Sequence, residues 1–126
     1  MTLVCITSSG STLDSPTDPR FGRCAYFIII DSESMRLEAI SNGAGSSPSG
    51  AGIRAAQVIV SKKVESLITG SVGPNAHAAL GSSGIKMFST SANTVKEAID
   101  LFKAGKLVEI QSAGPSHKGM GRRGGR

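Results

Sequence analysis

Hydrophobic positions come in short blocks separated by turn residues, and the period of the blocks changes along the chain. Leu3 to Thr7 is a continuous apolar run ending in Ser8-Ser9-Gly10, the pattern of a central strand buried on both faces. Ala25 to Asp31 is rich in aromatic and β-branched residues. Ser32 to Met35 then makes a tight reversal into Arg36 to Ile40, so these three strands are expected to pair antiparallel. Beyond a loop with Gly43, Gly45, Gly50 and Gly52 the period lengthens. Ile53, Ala56, Ile59 and Val60 share one face of a helix, and Lys62 and Lys63 suit its C-terminal end.

Strand and helix then alternate: Ser66–Thr69, Pro74 to about Ser83, Ile85–Ser89 and Thr94–Ala104. Alternation implies parallel strands. Pro74 fits a first helical position, Gly84 a C-terminal cap, and Thr94 with Glu97 a capping box. Val95, Ala98, Ile99 and Phe102 give the last helix its apolar stripe. Leu107 to Ile110 is a short candidate edge segment before Gly114-Pro115. The order βββαβαβα, with right-handed crossovers, predicts an α/β fold with a mixed five-stranded sheet flanked by helices.

Length and charge refine this picture. The 126 residues suit one domain, read here as residues 1–111 followed by a flexible basic Gly-rich tail over 112–126. Lys118, Arg122, Arg123 and Arg126 all fall in that tail, which holds no acid, so the net charge of +5 leaves only +1 on the body. No apolar run approaches the roughly 20 residues of a membrane helix. No basic segment or cleavage site flanks Leu3–Ile6, so a cytoplasmic location is expected. Cys5 and Cys24 form no C-x-x-C pair and are expected as reduced thiols.

Strand direction locates the chemistry. The first, third, fourth and fifth strands should run the same way, so their C-terminal ends share one rim, where open α/β sheets bind ligands. Ser9 and Gly10, the long loop from Ser9 to Cys24, and the glycine-bearing loops gather there. All three helices begin at this rim, and their free N–H groups and positive dipole ends favour an anion. Arg20 and Arg23 add side-chain charge, and Gly50 and Gly52 allow close backbone approach. Cys24 ends the long loop. Its functional reading is a thiolate ligand whose pKa is lowered by Arg20, Arg23 and the helix ends. His77, in the first turn of the second helix, is a candidate metal ligand. Cys5 reads as a small core residue, and His117 and Met120 are soft donors in the tail.

Three segments carry a resemblance: residues 18–27 (Asp-Pro-Arg-Phe-Gly-Arg-Cys-Ala-Tyr-Phe), 50–56 (Gly-Ala-Gly-Ile-Arg-Ala-Ala) and 70–76 (Gly-Ser-Val-Gly-Pro-Asn-Ala). In order and spacing, over roughly residues 2–110, the chain resembles the dinitrogenase iron-molybdenum cofactor biosynthesis family, and its tail resembles that of small stand-alone members. The resemblance implies a ribonuclease H-like fold. It also implies a carrier that binds an iron-sulfur or molybdenum-containing cluster, or its precursor, and passes it between donor and acceptor proteins. By position it implies a site at Phe21, Gly22, Cys24, Gly50, Gly52, Gly73, Asn75 and His77. Relatives often carry His beside the Phe-Gly pair. Arg20 and Arg23 flank it here, which implies a charge-based grip by that loop in place of direct ligation.

Other classes fit less well. Two-metal hydrolysis needs clustered carboxylates, and the first strand supplies none, while Asp31 falls at the opposite edge. No G-x-S-x-G elbow is present. No enzymatic activity is therefore expected. The rival reading is a nucleic-acid or other small-anion binding module using the tail, whose Arg122-Arg123-Gly124-Gly125-Arg126 resembles basic Gly-rich RNA-binding segments. Aromatic residues are only 4% of the chain and the body is nearly neutral, which argues against a stacking platform and makes nucleic acid an unlikely partner.

Overall fold

The computed structural model describes residues 2–42 and 51–111. Gly43, Gly45, Gly50 and the tail positions named above lie outside the described residues. The elements run β1 (Leu3–Ser8), β2 (Tyr26–Asp31), β3 (Leu37–Ser41), α1 (Ala51–Ser61), β4 (Ser66–Thr69), α2 (Pro74–Ser82), β5 (Lys86–Ser89), α3 (Val95–Lys103) and β6 (Val108–Glu109). They form one sheet in the order β3-β2-β1-β4-β5-β6. As expected, β1 pairs antiparallel with β2 and β2 with β3, while β1, β4 and β5 are mutually parallel.

The expected five strands are corrected to six. Gly105, at φ 73°, turns the chain back after α3. Val108 then pairs with Ser89 and Glu109 with Phe88, antiparallel. So short a ladder carries no hydrophobic period of its own.

Alternation along the strands divides the core between two faces. Cys5, Phe27, Ile29, Leu67 and Met87 pack under α1 and α2 with Ala55, Ala56, Ile59, Ala76 and Leu80. Val4, Ile6, Ile28, Ile30 and Ile68 meet α3 through Val95, Ala98 and Ile99. The central strands are therefore covered on both sides, which is why β1 and β2 read as unbroken apolar runs.

The helix ends follow local chemistry. Pro74 opens α2, and Gly84, at φ 79°, stops it just past its cap. Thr94 caps α3 by accepting from the Glu97 amide, while Glu97 Oε1 accepts from Asn93 N at 2.9 Å. Phe102, at the margin of the α3 stripe, packs edge-on against Phe88 with ring centroids 5.5 Å apart. On α1 one expectation is corrected: Val60 is exposed, and the buried stripe is Ala55, Ala56 and Ile59. Lys62 and Lys63 lie beyond the helix, and Lys63 takes a left-handed φ of 61° as the chain turns into β4. No helix among the described residues is long and apolar enough to cross a membrane.

Candidate functional site

The loop leaving β1 splits over the two faces of the sheet, and this decides which residues can meet. Its first half runs to the α3 side. There Val95 N donates to Ser15 O at 3.0 Å, Lys96 N to Leu13 O at 2.9 Å, and Thr17 N to Asn93 O at 3.1 Å. With Glu97 N bonded to Thr94 Oγ1, the first-turn amides of α3 are consumed by the protein's own carbonyls and hydroxyl. The expectation that all three helix tips serve one anion site is corrected: α3 is withdrawn from it, and the residues at the starts of α1 and α2 line the cleft described below.

Ser9 and Gly10 belong to that first half. Ser9 bonds through N and Oγ to Pro16 O, Gly10 N donates to Ser8 Oγ, and a Cβ at Gly10 would lie 2.4 Å from Ser15 Oγ. The structure does not bring Ser9 or Gly10 to the cleft described next.

The second half of the loop is pinned to the opposite face. Asp18 N donates to Thr7 O at 3.0 Å, the Thr7 hydroxyl donates back to Asp18 O, and Ser71 N donates to Pro19 O at 3.2 Å. Arg20 then lies alongside Ser71 in a parallel bridge. Asn42, just past β3, holds the following turn, its Nδ2 donating to Gly22 O at 3.1 Å and Cys24 O at 2.9 Å.

Between this turn and the starts of α1 and α2 lies a cleft of about 410 Å³. It gathers seven of the positions named from the sequence: Arg20, Phe21, Gly22, Arg23, Gly52, Gly73 and Asn75. Ser71, Ile53, Pro74 and Ala76 complete its wall. Gly73 caps α2 with no side-chain acceptor, and Pro74 occupies the first turn. The Asn75 and Ala76 amides at this helix tip thus have no capping side chain, and α1 carries no acid in its first turn. Helix tips, two arginines and little side-chain bulk make a surface that favours negative charge.

Sequence reasoning did not single out Asp18. Its carboxylate takes Arg20 N at 2.9 Å and Nε at 3.0 Å on Oδ1, and Nη2 at 2.9 Å on Oδ2. The Arg20 hydrogen bonds hold the Asp18 carboxyl below the usual carboxylate range. Its spacing from Arg20 was a visible signal, whereas Asn42 is too distant in sequence to give any.

Cys24 corrects a further expectation. It is buried in the core beneath α1 and α2, in one cluster with Cys5, Phe21 and Phe27. Burial, with Asp18 nearby, pushes its thiol up to about 12, the reverse of the lowered value expected. At pH 8 the thiolate fraction is on the order of 10⁻⁴. Iodoacetamide is therefore expected to label native Cys24 at least about a hundredfold more slowly than the unfolded chain, read by mass spectrometry. The sign follows from the shift: stability tied to this thiol is complete below the unfolded thiol's pKa and is lost as pH rises toward about 12.

His77 points elsewhere. It lines a separate groove of about 380 Å³ with Gly81, Met87 and Ile110, and its buried Nε2 has no partner among the described residues. Cys24 and His77 are not brought together, and no group of three or more His, Cys, Asp or Glu among the described residues could hold a metal ion. A larger cleft, about 480 Å³, sits near Leu3, Asp31 and Leu37 at the opposite rim. None of the candidate site positions reaches it.

Comparisons with known proteins bear on the fold and the family. The chain is similar to the orange protein of Desulfovibrio gigas, solved in its apo form, with 38% identity and a TM-score of 0.85 over 89% of this chain and 95% of that one. It is also similar to a NifB-like protein from Thermotoga, with 38% identity and a TM-score of 0.79 over 99% and 100% of the two chains. An uncharacterized protein of Methanocaldococcus jannaschii is 31% identical over 96 residues, 74% of this chain and 81% of that protein. The family model described as dinitrogenase iron-molybdenum cofactor matches residues 2–105. That span takes in β1 through α3 and every wall of the cleft, and the chain belongs to the dinitrogenase iron-molybdenum cofactor family.

Proposed function

We propose that this chain binds an anionic metal-sulfur cofactor or precursor, iron-sulfur or molybdenum-containing, in the cleft between Arg20, Arg23 and the α1 and α2 tips. It carries that cargo between donor and acceptor proteins of metallocluster assembly and performs no chemistry on it. The single observation behind this reading is the donor set. The cleft offers guanidinium and amide N–H groups, and Cys24 holds its thiol neutral in the core. Such a wall suits a cargo whose metals already carry their own sulfides and whose outer surface accepts hydrogen bonds. The family's description and the similarity to the orange protein support the same class of cargo. The ribonuclease H-like class belongs to this reading too, supported by the order β3-β2-β1-β4-β5 with β2 alone reversed among those five.

The test is anaerobic incubation of the protein with tetrathiomolybdate, or with iron and sulfide, followed by gel filtration. The expected result is visible absorption co-eluting with protein at a fixed metal ratio. Metal remaining entirely in the small-molecule fractions defeats the proposal. RNA retention that is lost with salt and with deletion of residues 112–126, without metal uptake, favours the tail-based alternative.

A further inference from the structure

We infer that Asp18 is the positioning residue of the anion cleft, fixing the Arg20 guanidinium so that its outward N–H edge meets the cargo. This rests on the carrier reading above and adds a residue that does not itself line the cleft. Three observations carry it.

First, Asp18 is anchored on both sides of its own backbone by Thr7, so its carboxylate starts from a rigid point at the end of β1. Second, the pair is lopsided: the Asp18 side chain is 7% exposed and that of Arg20 is 68% exposed. The acid is the buried base of the pair, and the guanidinium is what faces solvent. Third, the contact is a fork. Nε and Nη2 both bond to the carboxylate, which fixes the guanidinium plane. The Nη1 hydrogens and the second Nη2 hydrogen are left directed away from Asp18. An exposed arginine without such an anchor must be ordered by the cargo itself.

Charge alone predicts the opposite role. A carboxylate beside an anion site repels the ligand, so its removal would tighten binding; as a positioning group, its removal weakens binding. The sign of the effect therefore separates the two.

The experiment measures tetrathiomolybdate binding at pH 8 by wild type, Asp18→Asn, Arg20→Ala, the double variant and Arg20→Lys. Asp18→Asn is expected to bind about tenfold more weakly although it removes a negative charge. In the Arg20→Ala background the same change is expected to cause no further loss, because Asp18 acts through Arg20. Arg20→Lys keeps the charge but cannot form the fork, and its expected loss matches that of Asp18→Asn, so the geometry can be read even where Asp18→Asn folds poorly. Equal or tighter binding by Asp18→Asn, undiminished binding by Arg20→Lys, or a full Asp18→Asn loss in the Arg20→Ala background overturns the inference. If those variants fail while the wild type binds, only the role of Asp18 falls. A wild type that takes up neither thiomolybdate nor iron with sulfide overturns the carrier reading and this inference with it.

Discussion

Alanine at position 70 is expected to cost about 3 kcal/mol of stability, the upper end of ordinary overpacking, and to weaken cargo binding in the same variant. A Cβ there would lie 2.4 Å from Pro19 Cβ, 2.7 Å from Pro19 Cα and 2.8 Å from Pro19 O. Two of those atoms are backbone, and no flexible side chain stands between to give way. Nor is Pro19 free to move: its carbonyl accepts from Ser71 N, and its neighbour Asp18 is bonded to Thr7. Relief must displace the strand of loop that presents Arg20. For a domain of this size the loss corresponds to roughly 10 °C in Tm, measured by calorimetry beside thiomolybdate binding. Gly52→Ala is the control for the melting temperature alone, because its Cβ would meet Ala76 Cβ at an ordinary 3.5 Å. A Gly70→Ala protein melting within about 2 °C of wild type would show that Pro19 is not held as tightly as its hydrogen bonds indicate.

The same contact shows where reading the sequence stops. Gly70 was visible within a glycine-bearing segment, but its strictness depends on Pro19, which only the fold brings beside it. Several local features are legible in the sequence: the α2 start at Pro74, its stop at Gly84, the Thr94 cap, and the direction of every strand that shapes the rim, although the α1 period misplaces Val60. Those features depend on neighbours within a few residues or on the order of elements.

The errors came from contacts between main-chain atoms, which leave no mark on residue type. Ser15 O and Leu13 O consume the first amides of α3, so a helix tip that looked available is not. The split of the long loop, which carries Ser9 and Gly10 away from Arg20, has the same origin. Cys24 failed for a different reason. Its place at the end of the loop was right, but the direction of its side chain depends on the turn held by Asn42.

Removing both arginines, Arg20→Ala with Arg23→Ala, is expected to reduce thiomolybdate affinity about a hundredfold, at roughly tenfold for each lost charge-assisted contact. Arg23→Ala removes one cation from the cleft. Arg20→Ala strips the side-chain partner from a carboxylate that is 7% exposed, leaving its negative charge beside the anion with the residue-20 amide as its remaining donor on this segment. Arg20→Ala is therefore expected both to bind more weakly and to be less stable than the wild type.

The stability difference between wild type and Arg20→Ala carries a pH signature. The Asp18 carboxyl is lowered in the folded wild type by its Arg20 hydrogen bonds, so its contribution is present above the unfolded carboxylate pKa. That contribution is lost as pH falls through the lower, folded value. Urea midpoints of the two proteins should thus be separated at pH 7 and converge in acid. A gap that stays constant from neutral pH down to full protonation would mean that the fork on Asp18 does not hold Arg20 in solution.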